Sequence, residues 1–223
     1  MKNATKHADD LRSLFKRLTK DCKPEVRHPP LDPLKALVRG AMTYDVPDAR
    51  ADEAMAVIDR EFVDLNELRV ATELEVQELL GNKYPAIERR AMIMTQALNA
   101  IFEKEHTLSL ERLRDVSKRD ARQFLRELPD IHPFVEAYVM LFAFDGHAVP
   151  VDEQVLAWLK GQGVIEDGTG LDEAQRFVEH AIKAEESYDL YACLRRTAQQ
   201  AATTAAAPGG GGGDEGKLKK RAK

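Results

Sequence analysis

Cysteine is scarce. Cys22 and Cys193 are the only two in 223 residues, so neither a disulfide framework nor a Cys-rich metal site is indicated. Long apolar runs are missing too. No stretch approaches the roughly 20 residues that cross a bilayer, and Met1-Lys2-Asn3-Ala4-Thr5-Lys6-His7 has no apolar signal region. The expectation is a soluble, cytoplasmic protein. No alternating strand pattern is present. The glycines from Gly161 to Gly170 lack the strand context and the Lys of a phosphate loop. No serine sits in a nucleophile elbow. His132, His147 and Asp152 form no short ligand motif, so no metal is expected. An excess of positive charge is also lacking. Net charge is -5 and pI about 5.8, which argues against coating a polyanion by charge alone. A local basic face stays open.

What is present is helical patterning. With 43% hydrophobic and 32% charged residues, the chain can bury a core as one domain or as two small lobes. Leu11, Leu14, Phe15 and Leu18 recur at helical spacing, with Arg12, Lys16, Arg17 and Lys20 opposite. Asp32-Pro33 is a cap followed by proline at the first helical position. Thr72 and Glu75 form a capping box, and Gly81 stops that helix. Ser109–Val116 and Ser117–Leu128 read as two further helices, Pro133–Phe144 as a strongly apolar one, and Ser187–Gln200 as the last. The fold class is all-α, with about ten helices. Three regions are expected: an N-terminal helix and connector (1–31), a main helical domain in two lobes (32–200), and a tail (201–223). The tail holds five consecutive glycines and a basic tip at Lys217-Leu218-Lys219-Lys220-Arg221-Ala222-Lys223. Its composition cannot order itself by burial. It is a solvated terminus or a weak, salt-sensitive attachment to nucleic acid.

The stretch from Leu128 to Asp152 organises the chain. A helix stops at Leu128-Pro129, the chain turns through Asp130-Ile131-His132, a helix restarts at Pro133, and one acid follows Pro150-Val151. Helix, tight turn, helix, short loop, acid: this order resembles the helix-hairpin-helix DNA glycosylases of the endonuclease III type. In that family the turn reads Leu-Pro-Gly-Val-Gly-x-Lys-Thr-Ala and the acid sits in Val-Asp-Thr-His. The resemblance runs from about Pro33 to Arg195. It includes Val38-Arg39-Gly40-Ala41-Met42-Thr43-Tyr44-Asp45-Val46, which match a family pattern like Leu-Leu-Ser-Ala-Gln-Ala-Thr-Asp-Val.

The resemblance assigns roles residue by residue. Asp152 matches the acid that stabilises the oxocarbenium-like sugar as the base leaves; as the residue opening a helix it is equally an N-cap. Met42 stands where the family has the Gln that fills the gap left by a flipped base, and is either an apolar plug or core packing. Asp130 and His132 replace the hairpin glycines whose backbone nests a phosphate. Together with Ile131 they form either a weakened clamp or a structural corner. Phe134 stands where bifunctional members carry the lysine nucleophile, and no Lys lies between Lys118 and Lys160, which argues against lyase chemistry there. Tyr44, Asp45 and Tyr138 join Met42 and Phe134 as candidate pocket residues. Lys118, Arg119, Arg122 and Arg126 form a basic face beside the hairpin, either DNA-facing or merely solvated. Arg195 and Arg196 add charge on the last helix. The four cluster cysteines of many members are missing, so no iron–sulfur cluster and no other cofactor is expected.

These assignments imply a monomeric base-excision-repair protein that meets double-stranded DNA, nucleoid-associated if it binds. If active it is a hydrolase, a monofunctional DNA glycosylase using Asp152 and lacking lyase activity. The alternative is a catalytically inactive relative that keeps the scaffold for binding DNA or protein. The fold carries most of this weight.

Overall fold

The computed structural model describes residues 4–24 and 30–206. The glycine run and the basic tip of the tail lie outside the described residues. Those described are helical, with no strand among them: α1 (Ala4–Asp21), α2 (Pro33–Thr43), α3 (Asp48–Glu61), α4 (Leu65–Val70), α5 (Glu73–Leu80), α6 (Ile87–Glu105), α7 (Lys118–Arg126), α8 (Pro133–Ala143), α9 (Glu153–Gly161), α10 (Leu171–Ala181) and α11 (Ser187–Ala206).

Local chemistry sets most boundaries. The Asp32 carboxylate accepts the Lys35 amide at 2.9 Å and starts α2. Thr72 and Glu75 exchange hydrogen bonds in the expected capping box, and Gly81 ends α5 at φ +81°. Ser117 caps α7 through the Asp120 amide. Between α6 and α7 the predicted helix over Ser109–Val116 is only a short 3-10 turn at Glu111–Arg114. Leu110 and Leu113 are both anchored in the core, three residues apart, which suits the tighter 3-10 repeat. Helix α11 runs to Ala206, past the expected end at Gln200, because its alanine-rich continuation favours helix.

The helices pack in two groups. α2 lies along α8 and also meets α3 and α6, while α4 and α5 cover α6 and α7 packs on α8. The second group is α9, α10 and α11 with α1 packed against the last two. The chain's N-terminal helix therefore closes the C-terminal lobe, and one continuous apolar cluster runs through both groups. At about 2 kcal/mol per large apolar side chain buried, α8 contributes heavily: Phe134, Val135, Val139, Met140 and Leu141 are all buried. Gly40 on α2 permits the close approach of α8. A Cβ there would meet Tyr138 and Val135 at 3.3 Å. Both cysteines are free and buried, and burial pushes the Cys193 thiol up to about 12.

Candidate nucleic-acid interface and acid cluster

Three segments converge: the turn between α2 and α3, the hairpin between α7 and α8, and the N-terminus of α9. The first reaches the second through Tyr44, whose ring lies 4.1 Å from that of His132 and 5.5 Å from that of Phe134. It reaches the third through Asp45. The Asp45 carboxylate accepts the Glu153 and Gln154 amides at 3.0 and 3.4 Å, and the Gln154 side-chain amide donates back to the Asp45 carbonyl at 3.3 Å. Asp45 adopts φ +51°, a left-handed conformation that costs energy for any residue with a Cβ. Burial first, then the neighbouring Asp152, pushes its carboxyl above the usual range. Burial, and then the charge of Asp45, likewise raises the Tyr44 hydroxyl.

Asp152 caps α9 from inside. One carboxylate oxygen accepts the Val155 amide at 2.8 Å and the other accepts Arg195 Nη1 at 2.6 Å. Only 1% of its surface is exposed. Arg195 is equally enclosed and has four further contacts. It donates to Asp48 at 2.7 Å and to the Thr43 and Val46 carbonyls at 2.8 and 2.6 Å, and its guanidinium lies 5.7 Å from the Phe134 ring. Arg195, expected with Arg196 to add charge on the last helix, is a buried pin between α11, α9 and the α2–α3 turn. The signal was available: Leu190, Tyr191, Leu194 and Ala198 make the buried stripe of α11, and Arg195 falls inside it. A charge in an apolar stripe needs a buried counter-charge.

The hairpin keeps its path. Asp130 takes φ +50°, the left-handed conformation that glycine adopts without strain. The chain then rises through Ile131 into α8. The amides that would hold an anion are depleted: Pro133 has no N–H, and the Phe134 amide donates to His132 Nδ1 at 3.2 Å. Burial, and then the charge of Arg89, lowers the His132 pKa, so the ring is neutral at pH 7.

The basic face divides in two. Lys118 and Arg119 are exposed. Arg122 turns inward to Glu136 at 2.7 Å and Glu179 at 2.9 Å, and Arg126 meets Glu136 at 3.0 Å. Glu136 is 1% exposed, and burial raises its pKa. These pairs fasten α7 to α8 and α10. Of the candidate pocket residues, Met42, Phe134 and Tyr138 are enclosed in the core. Tyr138 continues a ring stack from Phe134 to Phe142 and accepts a 2.9 Å bond from Arg39. Tyr44 and Asp45 stay partly exposed. Among the described residues no group of three or more His, Cys, Asp or Glu side chains is placed to hold a metal ion.

No family model matches this chain, and no curated protein matches it. Solved structures do. A trapped endonuclease III–DNA covalent intermediate superposes with a TM-score of 0.68 at 15% identity, covering 84% of each chain. The Clostridium acetobutylicum 8-oxoguanine glycosylase/lyase, in complex with double-stranded DNA, gives 0.68 at 15% identity over 90% of this chain and 71% of its own. A thermostable thymine-DNA glycosylase gives 0.63 at 13% identity over 87% of each. At these identities what is shared is the fold, that of the helix-hairpin-helix DNA glycosylases.

Proposed function

We propose that this chain is a double-stranded-DNA-binding protein of base-excision repair, in which the glycosylase scaffold recognises DNA and Asp152 serves the scaffold. The similar structures include glycosylases bound to double-stranded DNA, which supports the partner. The observation that carries the reading is the state of Asp152. Both its oxygens are engaged, and it is sealed behind Arg195. A carboxylate that stabilises a sugar cation must face the sugar. DNA would meet the hairpin side, where Lys118, Arg119, Arg89 and the Tyr44–His132 pair are at least partly exposed.

A second reading, monofunctional hydrolysis of an N-glycosidic bond, is favoured by one specific placement. Asp152 opens α9 where the resemblance puts the catalytic acid, and Phe134 stands in place of the lysine. For Asp152 to act, Arg195 must release it and the rings of Phe134 and Tyr138 must part to admit a flipped base.

Fluorescence anisotropy on a labelled duplex should give a dissociation constant that rises steeply with salt. The same protein would be incubated with duplexes carrying uracil, an alkylated purine, an oxidised pyrimidine or a mismatch, followed by alkali to reveal abasic sites. Asp152→Asn, checked for folding by circular dichroism, runs alongside. Binding without base release is the expected result. Release by the wild type and not by Asp152→Asn would replace it with the hydrolytic reading. Cleavage without alkali would contradict both readings at Phe134, and absence of binding would remove the DNA partner.

A further inference from the structure

The chain has two cysteines, and the fold brings them together across 171 residues. Cys22 lies one residue beyond the end of α1, and Cys193 lies on α11, against which α1 packs. The Cys193 thiol donates to the Cys22 carbonyl oxygen at 3.4 Å. Bond lengths put that oxygen less than about 3 Å from the Cys22 Cα. The Cys193 sulfur therefore lies within roughly 6 Å of the carbon that carries the other side chain. Disulfide-bonded cysteines hold their Cα atoms about 4.4–6.8 Å apart, so the separation is one that local adjustment at Cys22 can close. The two sites differ in access. Cys193 is fully enclosed, whereas Cys22 keeps 7% of its surface at the edge of the C-terminal lobe. Burial first, and then the neighbouring Cys22, raises the Cys193 pKa.

We propose that Cys22 and Cys193 are a site of oxidative modification, a thiol pair that hydrogen peroxide closes to an intramolecular disulfide tying α1 to α11. Cys22 has the access and reacts first. Its thiolate sulfur attacks one peroxide oxygen, the O–O bond breaks, and the departing hydroxide takes up the proton that Cys22 shed. The product is a sulfenic acid on Cys22 and one water. The Cys193 sulfur then attacks the Cys22 sulfur, the S–O bond breaks, and the Cys193 proton leaves with the hydroxide as a second water. Two thiols are oxidised to one disulfide and one peroxide is reduced to two waters. Burial suits Cys193 to the second role. An external thiol reaches the bond at Cys22 and must expel Cys193, a poor leaving group because its thiolate is disfavoured. The closed bond holds the N-terminal helix on the last one, two residues from the Arg195 that holds Asp152. It also spans most of the chain, so it removes freedom from the unfolded state. The proposal is independent of any DNA partner.

The test treats the full chain, reduced and freed of reductant, with hydrogen peroxide at low protein concentration. The expected product is a monomer on a non-reducing gel, lighter by two hydrogen atoms, with Cys22 and Cys193 in one cross-linked peptide after proteolysis. Iodoacetamide in urea should label neither cysteine. The urea midpoint should rise above that of the reduced protein and return to it with dithiothreitol. Cys193→Ser lacks the second sulfur, so it should stop at the sulfenic acid and carry a dimedone adduct on Cys22. Cys22→Ser should give neither adduct nor disulfide. The wild-type mass, alkylation and midpoint decide the proposal even where a variant does not fold. Two thiols that still alkylate after peroxide, oxidation to a sulfinic acid without a cross-link, or a bond formed only between two chains would overturn it. A dimedone adduct on Cys193 in Cys22→Ser would overturn the order of attack.

Discussion

Asp45 and Asp152 both place a carboxylate on the first turn of α9, yet the surroundings make them different groups. Asp152 has a cap bond and a buried cation. Asp45 accepts from two backbone amides, and it lies near Asp152. Its pKa is therefore raised, by burial first and by Asp152 next. The sign follows from linkage. A carboxyl whose folded pKa lies above the unfolded value binds its proton more tightly when folded. Its favourable contribution is complete below the unfolded pKa, and is lost as pH rises through the folded one. At neutral pH the ionised Asp45 is thus a net burden. Asp45→Asn keeps an oxygen for the Glu153 and Gln154 amides, removes the charge, and tolerates φ +51° at least as well. Its urea midpoint should exceed that of the wild type at pH 7, and the gap should close as pH falls toward the usual carboxylate range. A gap that persists unchanged in acid would show that charge is not the cause. Asp45 was legible as a pocket candidate only through the family pattern. Its role as a second cap for a helix 108 residues away has no local sequence signature.

The α7–α8 hairpin is the element where sequence and structure agree on path and diverge in chemistry. Leu128-Pro129 and the restart at Pro133 mark the turn, because proline ends one helix and opens the next. The inward commitment of Arg122 and Arg126 was not legible. Spacing puts them on a polar face, and only the position of Glu136 on the neighbouring helix turns them toward the core. Asp130 is the residue that most separates this hairpin from a phosphate-binding one. It is exposed, negatively charged and left-handed at φ +50°. Asp130→Gly removes the backbone strain and the repulsion together. Stability should rise by up to about 1 kcal/mol, and affinity for paired duplex should increase several-fold, read by denaturant melts and anisotropy. Unchanged duplex affinity would mean that this turn does not approach the phosphates.

At the scale of the whole molecule the two helical groups are held by a shared apolar core, by the buried Arg195 and by the part-buried Arg122–Glu179 pair. Helix periodicity made the all-α class and the run of elements readable. Nothing local could show that α1 would close the C-terminal lobe, or that the last helix would send Arg195 into the first lobe's turn, because those contacts span more than 140 residues. Arg195 joins α11 to Asp152 at the start of α9, to Asp48 on α3, and to the Thr43 carbonyl at the end of α2 and the Val46 carbonyl in the α2–α3 turn. If this pin couples the lobes, its removal should cost more than local stability. Arg195→Met leaves a buried carboxylate without its cation and the Val46 carbonyl without its donor, a loss of about 3–5 kcal/mol. The single tryptophan, Trp158, lies on α9, which packs on α10 and α11, and it reports on the C-terminal group. Far-ultraviolet circular dichroism reports on all helices. In the wild type the two signals should fall together along a urea titration, as for one cooperative unit. In Arg195→Met the Trp158 transition should move to lower urea and separate from the helical signal. Coincident curves in the variant would mean that the apolar core and the Arg122–Glu179 pair make the lobes one unit without Arg195, and that Arg195 serves only to hold Asp152 in place.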